Sequence, residues 1–215
     1  MSSLFPESAP LARTRHRVRR LHSRFEKMFD ALRLFVAERA MDDATCRRVQ
    51  AAMDVGVREP SEVIEDEMSL VEDVRRASHI EVTPAIFELI DAHLDAQRDA
   101  IAAFFDWPLE GREGVNVLRY EAGGFYKPHV DRADLPAWPP AAHRAFTVIL
   151  FLESAREADA SGGFSGGALR LLPDNAPSID IVPRRGLLVA FPADTVHEVL
   201  PVTGGHRDTV VDWFS

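Results

Sequence analysis

Apolar residues recur three and four positions apart through the first half of the chain and alternate in short runs through the second, which predicts helices first and strands after. Leu21, Phe25, Met28, Phe29, Leu32 and Phe35 keep helical spacing and predict an amphipathic helix over about 20–36. Leu34–Val36 equally suits the start of a strand, because bulky and β-branched residues cluster there. Asp42 or Asp43 is a good N-cap for a helix that carries Cys46, Val49 and Met53 on one face, with Cys46 as a small core residue. From Pro84 to Trp107 a proline opens a further helix, and Ile86, Leu89, Ile90, Leu94, Ile101 and Phe104 follow at helical intervals.

After Gly111 the period changes. Short β-type runs follow at Val115–Tyr120, Phe125–Val130, Phe146–Leu152 and Ala168–Leu172, then at Ile179–Val182, Leu187–Phe191, Val196–Leu200 and Arg207–Phe214. Helices followed by many short strands indicate an α+β protein whose C-terminal half is a sandwich or barrel. Between Asp54 and Asp73 eight carboxylates face one base, Arg58, which reads as an exposed loop or acidic face. No internal repeat is visible.

Composition narrows the picture. With 215 residues, 46% of them hydrophobic, the chain can bury a real core. No apolar stretch approaches the roughly 20 residues that span a bilayer, and no apolar signal core stands at the N-terminus. The expectation is a soluble, cytoplasmic protein with no membrane partner. A single cysteine excludes an internal disulfide framework and a thiolate-rich metal site, so any metal needs nitrogen and oxygen ligands. The net charge of −9 disfavours a phosphate-binding surface and hence nucleic acid. Residues 1–40 run against that balance, with nine Lys/Arg against four Asp/Glu. The run Arg13, Arg15, Arg17, Arg19, Arg20 and Arg24 reads as a solvated basic arm, with contact to an acidic partner as the alternative.

Eight histidines direct attention to His/carboxylate clusters, and four His-x-acid triplets begin at His79, His93, His129 and His206. On a helix, positions i and i+2 are about 200° apart, so His93 and Asp95 cannot share an ion. On a strand the same spacing places both side chains on one face about 6.6 Å apart. His129 and Asp131 sit in such a run. His79 and Glu81 have no further polar company, and His206 and Asp208 point outward if Arg207 points inward. His197, in a strand-like run, is the best third ligand. Two imidazoles and a carboxylate leave positions open on a metal, as in nonhaem Fe(II) oxygenases, and Zn(II) with an activated water suits the same set. Arg207 follows His197 by ten residues across Thr203-Gly204-Gly205, where a hairpin-like return aims it at the same pocket. Its guanidinium suits a carboxylate. Tyr126 and Tyr120 precede His129 and offer hydroxyls. Standing alone, Arg207 would read as a surface ion pair and the tyrosines as core packing.

The string from Val117 through Arg119-Tyr120-Glu121-Ala122-Gly123-Gly124-Phe125-Tyr126-Lys127-Pro128-His129-Val130-Asp131, followed by His197 and Arg207, resembles the prolyl 4-hydroxylase-type Fe(II)/2-oxoglutarate-dependent dioxygenases. The resemblance covers about 36–215, which leaves 1–35 as a basic arm and N-terminal helix. It implies a double-stranded β-helix (jelly roll) with N-terminal helices packed against it. It also implies Fe(II) on His129, Asp131 and His197, and Arg207 on the distal carboxylate of 2-oxoglutarate. Tyr126 and Thr147 match positions that help hold the cosubstrate, Tyr120 lines the same cavity, and Trp213 borders it. Phe151 departs from the family where many relatives have tyrosine, and Ala168-Leu169 departs where many have Glu-Thr. The implied reaction is hydroxylation with O2, coupled to decarboxylation of 2-oxoglutarate to succinate, with ascorbate as a candidate further cofactor. A peptidyl prolyl residue is the leading substrate, and a protein or peptide the partner. A small-molecule dioxygenase, or a metal-binding jelly roll acting as a sensor or interaction module, is the alternative. The loops Arg132–His143 and Ser161–Gly167 read as plain Pro- and Gly-rich turns, with a role as lids over bound substrate as the alternative.

Overall fold

Where Leu34–Val36 leaves helix and strand equally open, the chain is extended: Phe35–Ala37 forms β1. The computed structural model describes residues 33–215 apart from 62, 65–67, 70–71, 157–162 and 175. The basic arm and nearly all of the helix predicted over 20–36 therefore lie outside the described residues, as do Ser161 and Gly162 of the second candidate lid. Asp42 caps α1 (Asp43–Val55), its Oδ1 accepting from the backbone N–H groups of Ala44 and Thr45 at 2.9 Å. Strands β2 (Val57–Pro60), β3 (Val63–Ile64), β4 (Met68–Ser69), β5 (Arg75–Arg76) and β6 (Ser78–Glu81) follow. The acidic segment is thus not a plain loop, although β2 is exposed throughout.

The single helix predicted over 84–107 is two: α2 (Pro84–Asp95) and α3 (Arg98–Phe105). Ile86, Ile90 and Leu94 set a four-residue stripe whose next position is Arg98. Arg98 donates instead to the Leu109 carbonyl at 2.7 Å, and the break at Ala96–Gln97 turns Ile101 and Phe105 back to the core. Asp106, in the left-handed region at φ +51°, ends α3.

The remaining strands are β7 (Asn116–Glu121), β8 (Phe125–His129), β9 (Phe146–Phe151), β10 (Ser165–Gly166) and β11 (Leu169–Leu171). After them come β12 (Ile179–Ile181), β13 (Leu188–Pro192), β14 (His197–Val199), β15 (Val202–Gly204) and β16 (His206–Phe214). A seven-stranded sheet runs β1-β13-β9-β16-β7-β6-β2 and a five-stranded sheet runs β12-β11-β14-β8-β5, with two-stranded pairs β10-β15 and β3-β4. The fold is the expected α+β jelly roll. Among the described residues no helix is long and apolar enough to cross a membrane.

Strand alternation divides the large sheet into two faces. Val117, Val148, Leu150, Val210 and Phe214 join Cys46, Val49 and Met53 of α1, Ile90 and Leu94 of α2 and Ile101 of α3 in one buried core. Each such side chain contributes about 1.5–3 kcal/mol when fully buried. Two carboxylates enter the same face, each with an arginine. Asp208 takes a two-pronged contact from Arg119 at 2.6 and 2.8 Å, and Asp212 accepts from Arg112 at 2.6 and 2.9 Å. Asp208 does point away from Arg207, but into the protein, where it is 1% exposed.

The expected hairpin between His197 and Arg207 is absent. β14 belongs to the small sheet and β16 to the large one, and the chain crosses between them through β15, which pairs with β10. Ser165 and Gly166 are therefore held in that pairing.

Candidate metal and cosubstrate site

The other face of the large sheet looks across a cavity of about 130 Å³ at the small sheet, ample for more than a water molecule. Leu118 and Tyr120 of β7, Thr147 and Ile149 of β9, and Arg207 and Trp213 of β16 line it from the large sheet. Tyr126 and His129 of β8 and His197 of β14 line it from the small one. The register opposes His197 to His129 directly, and Asp131 follows just past the end of β8.

Ligand atoms of His129, Asp131 and His197 lie within 4.8 Å of one another. His129 Nε2 is 3.6 Å from Asp131 Oδ1, and His197 Nε2 is 3.5 Å from Asp131 Oδ2. The tautomers follow from the backbone. His129 Nδ1 is 2.8 Å from the Lys127 carbonyl and His197 Nδ1 is 2.9 Å from the Thr195 carbonyl. A carbonyl only accepts, so Nδ1 carries the proton and Nε2 presents its lone pair toward Asp131. Burial, and then the neighbouring His197, pushes the His129 pKa down to about 3, so the ring is neutral near pH 7. Burial alone would raise Asp131, but the two imidazoles and the Thr147 hydroxyl outweigh it and hold the carboxyl down at about 2. The Thr147 hydroxyl donates to Asp131 Oδ2 at 2.6 Å, so it orients the carboxylate itself. The Tyr126 ring stacks on His129 at 3.5 Å, and burial raises its hydroxyl to about 12, which keeps the proton on.

Arg207 occupies the cavity wall between aromatic rings, its guanidinium carbon 5.1 Å from the Tyr120 ring centre and 5.2 Å from that of Phe151. It is 1% exposed, and its buried Nε and Nη1 have no hydrogen-bond partner among the described residues. Burial lowers its pKa to about 10, which still leaves it cationic at neutral pH. Gly167, at φ +63°, lets the backbone pass the arginine stem: a Cβ there would sit 3.0 Å from Arg207 Cδ.

Residues 115–215 match the family model described as the 2OG-Fe(II) oxygenase superfamily. Over those residues the chain is similar to the 2OG-Fe(II) oxygenases. Solved structures of similar fold include a Pseudomonas putida prolyl-4-hydroxylase, with TM-score 0.65 and 23% identity over 84% of this chain and 91% of that one. A Trichoplax adhaerens prolyl hydroxylase in complex with a hypoxia inducible factor oxygen degradation domain peptide fragment gives TM-score 0.68 and 17% identity over 96% and 94%. The viral collagen prolyl hydroxylase of Paramecium Bursaria Chlorella virus-1, in a 2OG complex, gives 0.58 and 20% over 84% and 94%. At these identities the likeness is one of fold. None of the curated protein sequences matches the chain.

The cofactors of this oxygenase type are Fe(II) and 2-oxoglutarate, with O2 as oxidant. The cavity fits them: inward-facing imidazole and carboxylate donors suit a divalent ion, and an orphaned buried guanidinium suits an anionic group. The sequence reading missed other residues of this cavity. Arg144 and Arg75 line the cavity, Arg75 with its guanidinium 4.8 Å from the Tyr126 ring centre. Glu113 receives Arg144 through both carboxylate oxygens at 2.6 Å. A charged residue next to an apolar strand run was the available signal, but such residues are ordinary at strand ends. Of the loop Arg132–His143, Leu135 lines the cavity and the Trp138 indole donates to Glu113 at 2.8 Å.

Proposed function

We propose that the chain is a dioxygenase that hydroxylates a peptidyl residue, with proline as the leading target. In this reading His129, Asp131 and His197 hold Fe(II), and Arg207 takes the distal carboxylate of 2-oxoglutarate. Arg207 carries the reading. A sensor or binding module needs no buried, unpartnered cation beside its metal ligands, because such a charge costs stability unless a ligand pairs it.

When bound, the iron and 2-oxoglutarate supply the oxidising chemistry and consume O2, giving succinate and CO2. The protein orients and excludes water. The Lys127 and Thr195 carbonyls fix the two imidazoles, and Thr147 fixes the carboxylate. The Tyr126 hydroxyl stays protonated and able to donate to an anion. Apolar walls from Leu118, Ile149, Leu169 and Val199 keep the cavity dry around the reacting groups.

A polymeric substrate is supported by a groove of about 740 Å³ that shares Arg75, Asn116, Leu118, Arg144 and Trp213 with the cavity. Phe87 and Trp138 extend its walls. The prolyl hydroxylases of similar fold support proline within that class. The test incubates the full chain with Fe(II), O2, 2-oxoglutarate and a panel of proline-containing peptides. The expected result is succinate release with one oxygen atom gained on a prolyl residue. No turnover of 2-oxoglutarate under any of these conditions would contradict the enzyme reading, and oxygen gained only by a small molecule would move the substrate class.

A further inference from the structure

Arg144 is 8% exposed and its guanidinium touches three groups at once. Its Nε and Nη2 donate to the two oxygens of Glu113 at 2.6 Å, and its Nη1 donates to the Asp131 backbone carbonyl at 3.0 Å. The face of its guanidinium lies 3.6 Å from the Trp213 ring centre. Glu113 also accepts from the Trp138 indole at 2.8 Å, which ties the groove wall to the same carboxylate. A planar fork can serve a carboxylate edge-on and an indole face-on together, and a lysine cannot.

The geometry points to Arg144 as a positioning residue for the metal site, with Glu113 as the counter-charge that aims it. Arg144 fixes the backbone at Asp131 while Thr147 fixes the carboxylate of the same residue, so the ligand is held from both ends. It also sets the plane of Trp213, which borders the cavity. Held this way, Asp131 meets a metal without first losing conformational freedom, and affinity gains accordingly. The inference rests on the assignment of His129, Asp131 and His197 as metal ligands.

The test uses the full chain without 2-oxoglutarate and two redox-stable probes, Co(II) followed by its absorption bands and Mn(II) followed by calorimetric titration. Arg144→Met is expected to weaken Mn(II) binding about tenfold and to shift the Co(II) bands. Arg144→Lys, which keeps the charge but not the fork, is expected to recover only a minor part. Glu113→Gln, which keeps Arg144 and the planar shape of the carboxylate but not its charge, is expected to move both readouts in the same direction by a smaller factor. These shifts must appear in variants whose metal-free melting temperature and circular dichroism show a folded protein. Should Arg144→Met fail to fold, Glu113→Gln decides. Folded variants with the parent Co(II) bands and Mn(II) affinity would overturn the proposal. A parent protein that binds no Co(II), or a His197→Ala variant that binds it unchanged, would instead overturn the metal assignment beneath it.

Discussion

On one face of β16, Asp208 and Asp212 each meet an arginine at 2.6 Å; on the other, Arg207 lies between the rings of Tyr120 and Phe151, its Nε and Nη1 without a hydrogen-bond partner among the described residues. Arg207, Asp208 and Asp212 belong to the same strand and are each at most 1% exposed, so burial alone does not set them apart. The helical face closes its charges within the protein. The cavity face leaves one open. A buried ion pair adds little net stability but leaves a large deficit when one partner is removed, whereas a buried charge without a partner is already a cost that only a ligand can offset. The contrast separates residues that hold the fold from the residue proposed to hold the cosubstrate.

The helical face should break hardest. Asp208→Ala strands Arg119, whose other carboxylate, Asp54, is largely exposed, and the expected loss is about 3–5 kcal/mol in chemical denaturation. Replacing both members by apolar residues, Arg119→Met with Asp208→Leu, should recover most of it. A single variant no worse than the double would show that Arg119 does not depend on this partner. On the cavity face the damage should fall on ligands rather than on the fold. Thr147→Val removes the 2.6 Å hydrogen bond to Asp131 and should weaken Mn(II) binding about tenfold while the melting temperature holds. Unchanged Mn(II) affinity would leave Thr147 as plain packing. The smallest effect is expected of Phe151→Tyr, which restores the hydroxyl common in relatives on a ring 5.2 Å from Arg207. One added hydrogen bond is worth about 0.5–1.5 kcal/mol, so 2-oxoglutarate should bind several-fold more tightly. Weaker binding would mean that the pocket is already filled by the phenyl ring.

Much of this contrast was legible in the sequence, for a physical reason. Parity along a strand places His129 with Asp131 and separates Arg207 from Asp208 from sequence alone. Leu34–Val36, which suits helix and strand equally by sequence, runs into strand β1 (Phe35–Ala37), and the core positions Cys46, Val49 and Met53 lie where helical spacing puts them. What stayed hidden depends on partners distant in the chain. Arg119 and Asp208 are 89 positions apart, and nothing local to either signals the other. The same holds for Arg144 and Glu113. The edge strands β2 and β5 were missed because neither shows alternation: β2 is exposed at every position and β5 is two arginines. The break in the helix over 84–107 was written in Arg98, a polar residue at a stripe position, and a count of apolar spacing passes over it. The hairpin expected before Arg207 failed because Gly-Gly marks a turn without saying which sheet the chain enters next.

The most direct test of the whole account titrates 2-oxoglutarate into the Mn(II)-loaded full chain, parent against Arg207→Met. The account predicts binding at one site that requires the metal. In Arg207→Met, 2-oxoglutarate should bind about 10- to 150-fold more weakly, the equivalent of losing about 1.5–3 kcal/mol of charge-assisted hydrogen bonding, while Mn(II) affinity stays at the parent value. Equal 2-oxoglutarate affinity in both proteins, or binding that ignores the metal, would contradict it.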